Sequence, residues 1–180
     1  MSRSMMIICA AVAAAAVASA ADAQDASPAF GHPVAEADLA FWDSSIPPDG
    51  ANLPPGEGGV ETGREIFATR CAACHGETGA ETDTRLTPLV GGAGTLATSS
   101  PRKTVGSFWP YATTLFDYVR RAMPYNAPKS LTDDEVYALT AYILNANGIV
   151  PDDAVMNAET LLAVEMPNRD GFVNAWAEQE

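Results

Sequence analysis

The sequence predicts an all-α fold, in which one helical domain is flanked by irregular segments. Apolar residues recur at helical spacing in three separate stretches, and no convincing strands of a parallel sheet are found around them. The composition agrees, because 47% of the residues are hydrophobic and can form a packed core. With 180 residues, the chain has room for one ordinary domain plus extensions.

The first residues have the pattern of a cleaved export signal. An unbroken apolar run of 14 residues, Met5 to Ala18, follows Arg3 and is shorter than the stretch of about 20 apolar residues that a transmembrane helix needs. Small residues after this run suit cleavage near Ala23 or, almost as well, after Ala20. We therefore predict a signal peptide over residues 1–23 and a periplasmic mature protein without a membrane span.

Charge and composition divide the rest of the chain into three parts. Residues 24–59 contain six acidic and no basic residues, and they end in the proline- and glycine-rich run PPDGANLPPGEGG, which is typical of turns. We predict an irregular acidic N-terminal extension over residues 24–57 and the helical domain over residues 58–150. The chain is acidic again over residues 151–180, which we predict to be a C-terminal extension with one short helix near residues 158–163.

Three helices are expected in the central domain. The first covers about residues 60–71 and contains Gly63, which would cost stability unless a second helix packs closely against it. The second covers about residues 112–123. The third begins after Thr132, because a threonine followed three residues later by Glu135 forms the pattern of a capping box.

The first of these helices ends in the motif C-A-A-C-H, formed by Cys71, Cys74 and His75. A redox-active pair of thiols is one interpretation, but such a pair usually opens a helix after a strand, and no such strand is evident here. A zinc site is a second interpretation, but it needs a fourth ligand, and the only other histidine is His32.

Covalent haem attachment is the interpretation that we favour. Two thiols about one helical turn apart can each add to a vinyl group on one edge of the porphyrin. The imidazole of the next residue then reaches the iron from one face. The motif therefore predicts one covalently bound haem c, attached through Cys71 and Cys74 and ligated by His75.

The ligand on the other face of the haem decides the chemistry, because an open position binds gases or peroxide, whereas a methionine sulfur fills it and raises the reduction potential. Three methionines follow the motif: Met123, Met156 and Met166. Met123 ends a predicted helix and precedes Pro124, which favours a loop that crosses the haem face. We predict Met123 as the second iron ligand, with Met166 and His32 as alternatives.

Three stretches resemble those of class I c-type cytochromes: GREIFATRCAACHG, RRAMP and DDEVYALTAYIL. The resemblance implies the class I cytochrome c fold and single-electron transfer without catalytic residues. It also implies that the first and last helices cross at a small-residue contact, with Gly63 and Phe67 against Tyr142. In such proteins a proline carbonyl accepts a hydrogen bond from the iron-ligating imidazole, and Pro88 is the matching residue.

A resemblance over a longer part of the sequence indicates an electron-transfer partner. The stretch 103–150 and the flanks FGHPVAEADLAFWD and VEMPNRDGF are similar to cytochromes that partner periplasmic molybdenum sulfite dehydrogenases, and equally to the cytochrome subunit of the sulfane dehydrogenase in the bacterial Sox system. That subunit looks like a longer chain with a second haem domain, whereas only one C-x-x-C-H is found here. The resemblance implies electron transfer from such a dehydrogenase to a downstream cytochrome or terminal oxidase. The alternatives are a general carrier to a terminal oxidase, and a haem enzyme or gas sensor with a labile sixth ligand.

The charge distribution is uneven. The net charge of −13 makes nucleic acid an improbable partner. Five basic residues nevertheless lie in the segment around the predicted methionine ligand: Arg102, Lys103, Arg120, Arg121 and Lys129. Three interpretations stay open, namely a docking rim for an electron-transfer partner, pairing with haem propionates, and ordinary solvated charges.

Overall fold

The structure is a computed structural model that describes residues 31, 33–42, 44–81, 86, 88–173 and 175. The predicted signal peptide and the alternative ligand His32 lie outside the described residues. The chain divides into two compact units, one ending at residue 43 and the other beginning at residue 44.

The first unit contains helix α1 (Glu36–Trp42). Acidic side chains at Glu36 and Asp38 lie in its first turn, where they interact favourably with the positive end of the helix dipole. This segment was predicted to be irregular, so the helix corrects that prediction. Seven residues give two turns at most, which is too short for a periodic apolar pattern to stand out.

The second unit is mostly helical, which confirms the predicted fold class. Its elements in chain order are β1 (Glu57–Gly59), α2 (Val60–Arg70), α3 (Ala72–His75), α4 (Val105–Phe108), α5 (Ala112–Ala122), α6 (Asp133–Ala146), β2 (Val155–Asn157) and α7 (Ala158–Leu162). The three predicted helices of the central domain correspond to α2, α5 and α6. The short helix predicted near residues 158–163 is α7.

Helix α6 is the centre of the core, and α2, α5 and both strands pack against it. Its residues 136–144 are all buried. The predicted capping box is present: the Thr132 hydroxyl accepts a hydrogen bond from the Glu135 backbone N–H at 3.2 Å, and the Glu135 carboxylate accepts one from the Thr132 N–H at 2.7 Å. These two bonds satisfy donors that would otherwise be unpaired at the helix start.

Helices α2 and α6 cross where the family resemblance implied. Val60, Gly63 and Phe67 form the buried face of α2. Gly63 lies against the backbone of Ala138, and the rings of Phe67 and Tyr142 are 5.0 Å apart between centroids. The expected small-residue contact is therefore confirmed.

A small antiparallel sheet joins the segments before and after the helical domain. Strands β1 and β2 pair with Gly58 opposite Met156. Strand β2 and the segment after it contribute buried side chains to the same core: Met156, Leu161, Val164 and Met166. The sheet was not predicted, because three-residue strands are too short for a pattern of alternation. None of the helices in the described part of the chain is long and apolar enough to cross a membrane.

Candidate functional site

The cysteines and histidine of the motif lie where α2 passes into α3. The Cys71 backbone N–H donates to the Phe67 carbonyl at 2.9 Å, which continues the hydrogen bonding of α2. The N–H groups of Cys74 and His75 then both donate to the Cys71 carbonyl at 3.0 Å. The short helix α3 places Cys71 and Cys74 one helical turn apart, with His75 directly after Cys74. The arrangement matches the one expected for two attachment points on one porphyrin edge.

Both cysteines are free thiols, but their surroundings differ. Cys71 is half-buried and packs against the hydrophobic core, whereas Cys74 is exposed. Burial raises the pKa of the Cys71 thiol to about 11, and the nearby charge of Arg70 opposes that rise only in part. Redox-active C-x-x-C pairs have a cysteine of lowered pKa. The raised pKa of Cys71 therefore argues against the redox-dithiol interpretation.

His75 is half-buried, and burial lowers its pKa. The imidazole is therefore neutral at physiological pH, which is the form that binds metals. Its Nδ1 atom is buried and has no hydrogen-bond partner among the described residues. The hydrogen bond expected from this atom to the Pro88 carbonyl is thus not formed. The N–H groups of the two residues after Pro88, Leu89 and Val90, both donate to the Gly79 carbonyl, at 2.8 and 3.0 Å.

A tight turn follows the motif. Gly76 has a φ of +80°, and a Cβ at this position would meet the carboxylate of Glu81. That carboxylate accepts hydrogen bonds from Thr78, at 3.0 Å from its backbone N–H and at 2.9 Å from its hydroxyl. Hydrogen bonds from its own backbone N–H and from Thr78 lower the pKa of Glu81. The turn therefore depends on a glycine and on an ionised glutamate.

Met123 lies at the end of α5. Its backbone N–H donates to the Val119 carbonyl at 3.1 Å, and its extended conformation, with φ −115° and ψ 151°, is the one that a following proline favours. The Met123 side chain is half-buried and packs against the same hydrophobic core as Cys71. Met156 and Met166 are only 4% and 3% exposed, so both belong to the core itself. Among the methionines of the described chain, Met123 alone is not enclosed.

Two of the five basic residues near Met123 form ion pairs. Arg120 Nε lies 2.8 Å from Asp133 Oδ1 at the start of α6. Arg121 donates two hydrogen bonds to the Asp117 carboxylate, one of them at 2.7 Å. Asp117 is buried and also accepts a hydrogen bond from the Ile46 N–H at 3.0 Å. The charges of Arg120 and Arg121 are therefore compensated by aspartates. A docking rim for a partner would depend on the other three basic residues: Arg102, Lys103 and Lys129.

Sequence reasoning assigned no role to Asp117, although its spacing of four residues from Arg121 is typical of an ion pair on one helix. Asp133 lies in the first turn of α6, where a negative charge interacts favourably with the helix dipole. The link to Arg120 connects two helices, and no spacing rule predicts such a contact. The carboxylates that pair with Arg120 and Arg121 were thus found only in the structure.

The residues present suit haem c. Two free thiols lie one helical turn apart, a neutral imidazole follows them, and a half-buried thioether packs on the same core. Further partly buried apolar side chains that pack on this core are Ile66, Ala72, Leu89, Trp109 and Leu131. Within the described residues, no group of three or more His, Cys, Asp or Glu side chains could hold a metal ion. Two thiols, an imidazole and a thioether form the donor set that haem c uses.

Comparison with known proteins agrees with this geometry. The model of the cytochrome c family matches residues 60–147. A chain in the crystal structure of the sulfane dehydrogenase SoxCD from Paracoccus pantotrophus is 39% identical in sequence and superposes with a TM-score of 0.76. That alignment covers 86% of this chain and 76% of the other. Members of the cytochrome c family bind haem c covalently and transfer electrons. The chain belongs to this family and is a class I c-type cytochrome, an electron-transfer protein that resembles the Sox cytochrome.

Proposed function

We propose that this protein is a periplasmic mono-haem carrier that accepts single electrons from a molybdenum sulfite or sulfane dehydrogenase and passes them to the respiratory chain. The similarity to the SoxCD chain is the observation that supports this proposal. The family match ends at residue 147, whereas the alignment with that chain covers 86% of this one, so it must reach into the segments on both sides. A general carrier would need to share only the haem domain.

In this proposal, Cys71 and Cys74 hold the haem through thioether bonds, and His75 and Met123 are the iron ligands. When bound, haem c supplies an iron that takes up and releases one electron. The chain's own residues do the rest. The half-buried His75 provides a neutral nitrogen, and the Met123 sulfur favours the reduced state and thereby raises the reduction potential. No residue is needed as a catalyst, because no bond of a substrate is broken here.

Visible spectra of the purified holoprotein test the ligand assignment. The oxidised protein should show the weak far-red charge-transfer band that is expected for methionine-ligated haem, and Met123→Ala should lose it. Met166→Leu is the matched control, because it replaces a buried methionine by a residue of similar volume and should keep the band. A wild-type protein without the band, whose reduced form binds carbon monoxide readily, would instead support a haem enzyme or gas sensor.

Rapid mixing of the oxidised holoprotein with candidate donors tests the partner. A molybdenum sulfite or sulfane dehydrogenase from the same organism should reduce the haem within milliseconds to seconds when its substrate is present, and should not reduce it when substrate is omitted. Reduction by neither dehydrogenase, together with fast oxidation of the reduced protein by a terminal oxidase, would favour the general carrier.

Location is tested separately. Expression of the full chain in a bacterium with a haem c maturation system should give a periplasmic product. Sequencing of its N-terminus should begin at Gln24, or at Ala21 if cleavage follows Ala20. An intact Met1 would contradict the proposed signal peptide.

A further inference from the structure

The segment 123–132, between α5 and α6, carries Met123 and has few contacts in its middle. Residues 125–130 are all exposed, and Tyr125 is 86% exposed. One backbone hydrogen bond lies within the described segment, from the Ala127 N–H to the Pro124 carbonyl at 2.8 Å. A segment with so little burial gains little free energy from its own packing. Its position must therefore be determined at its ends.

The two ends are attached in different ways. At the start, the Met123 N–H donates to the Val119 carbonyl at 3.1 Å. At the other end, Leu131 packs against the hydrophobic core, and Thr132 caps α6. Each of these contacts attaches one end to its own helix or to the core. None of them connects α5 directly with α6 across the segment.

In the core, α5 and α6 pack on each other, with the rings of Phe116 and Tyr137 4.4 Å apart between centroids. At the two helix ends that flank the segment, the ion pair between Arg120 and Asp133 connects them. Arg120 lies in the last turn of α5, and Asp133 is the first residue of α6. Their side chains are 29% and 36% exposed, and the Nε–Oδ1 distance is 2.8 Å. The ion pair between Glu61 and Arg64 on α2 is far more exposed, at 77% and 52%. Because shielding from water strengthens an ion pair, the Arg120–Asp133 pair should be the stronger of the two.

We propose that the Arg120–Asp133 ion pair is a positioning element that holds the segment 123–132 closed and so keeps Met123 in place as the sixth iron ligand. This inference rests on the proposed role of Met123. The neighbouring pair of Arg121 and Asp117 does not have this effect, because both residues belong to α5. When Arg120 loses its partner, the open form of the segment becomes more populated, and an external ligand competes more successfully for the iron.

Imidazole titration of the oxidised holoprotein measures that population directly. Arg120→Gln and Asp133→Asn should each raise the apparent affinity for imidazole by about 2- to 5-fold, which is the upper part of the range for ion pairs that are not fully buried. The double variant should show no larger increase than either single variant. Arg120→Lys, which keeps the charge, should lie between wild type and Arg120→Gln. Glu61→Gln is the control. Like Asp133→Asn, it replaces a carboxylate by an amide, but it removes the exposed ion pair with Arg64, and it should leave the affinity for imidazole within about twofold of wild type.

Two readouts separate this inference from the ligand assignment. Each variant should show the wild-type far-red band and circular dichroism before imidazole is added, which establishes that it is folded and methionine-ligated. If Met123→Ala loses the band while Arg120→Gln and Asp133→Asn bind imidazole as wild type does, the positioning role is wrong and the ligand assignment holds. If Met123→Ala keeps the band, the ligand assignment itself is wrong, and the positioning role is lost with it.

Discussion

Gly63 of α2 lies against the backbone of Ala138 in α6, and a Cβ at residue 63 would overlap the Ala138 carbonyl group. This close approach brings the Phe67 ring to 5.0 Å from the ring of Tyr142. Helix α2 leads directly into Cys71, whose N–H donates to the Phe67 carbonyl. The helix crossing therefore determines where the haem-attachment motif lies relative to the core.

The first prediction concerns this crossing. Gly63→Ala should destabilise the protein by about 1–3 kcal/mol or more, because the obstacle is backbone and cannot move aside like a flexible side chain. Urea unfolding followed by circular dichroism measures the change. Thr62→Ala, at the exposed neighbouring position of the same helix, is the control, and its free energy of unfolding should change by about 0.5 kcal/mol at most. Equal effects of the two substitutions would contradict this account of the crossing.

The second prediction concerns the two thiols. Cys71→Ala or Cys74→Ala should leave haem attached through one thioether, whereas the double substitution should release it under denaturing conditions. In alkaline pyridine, each single variant should absorb at a longer wavelength than wild type, because one vinyl group stays conjugated with the porphyrin ring. A haem band on a denaturing gel provides the second measurement. Haem retained by the double variant on that gel would contradict attachment at these residues.

The third prediction concerns Asp117, which pairs with Arg121 and accepts a hydrogen bond from the Ile46 N–H. Its side chain is only 12% exposed. Asp117→Asn should lower the free energy of unfolding by about 1–3 kcal/mol, because a buried charge-assisted hydrogen-bond network is broken. Glu61→Gln, in the exposed pair with Arg64, should cost about 0.5 kcal/mol or less. Similar losses in the two variants would show that burial of Asp117 has no energetic consequence.

The sequence predicted the parts of the fold that depend on local patterns. Helix α6 combines a capping box at Thr132 with a long apolar run, and both signals act within a few residues. The C-x-x-C-H motif is equally local, which is why Cys71 and His75 could be assigned a role before the structure was known. Gly63 by itself indicated a close helix contact, but its partner helix was anticipated only through the family resemblance, because a glycine in a helix does not identify what packs against it.

The remaining parts depend on contacts between distant residues. Strands β1 and β2 lie about a hundred positions apart and have three residues each, so neither has a pattern that would identify it. The hydrogen bond from Ile46 to Asp117 and the ion pair from Arg120 to Asp133 likewise follow from tertiary packing. The hydrogen bond from His75 to Pro88 that the resemblance implied also depends on tertiary packing, and the Nδ1 atom of His75 has no hydrogen-bond partner among the described residues.

The last prediction concerns Glu81 and the pH dependence of stability. Its carboxylate accepts hydrogen bonds from Thr78 in the turn after the haem motif, and the pKa of Glu81 is lowered in the folded state. An acid with a lowered folded pKa stabilises the folded state above its unfolded pKa, and that contribution is lost as the pH falls through the folded pKa. Wild type should therefore be more resistant to urea than Glu81→Gln at pH 7, and the difference should shrink as the pH falls below about 4.3, the ordinary pKa of glutamate. Glu77→Gln removes a neighbouring exposed carboxylate to which no such hydrogen bonds are made among the described residues, and at pH 7 it should change the free energy of unfolding by about 0.5 kcal/mol at most. A difference between wild type and Glu81→Gln that stays constant down to pH 3 would show that the ionised carboxylate does not stabilise the turn.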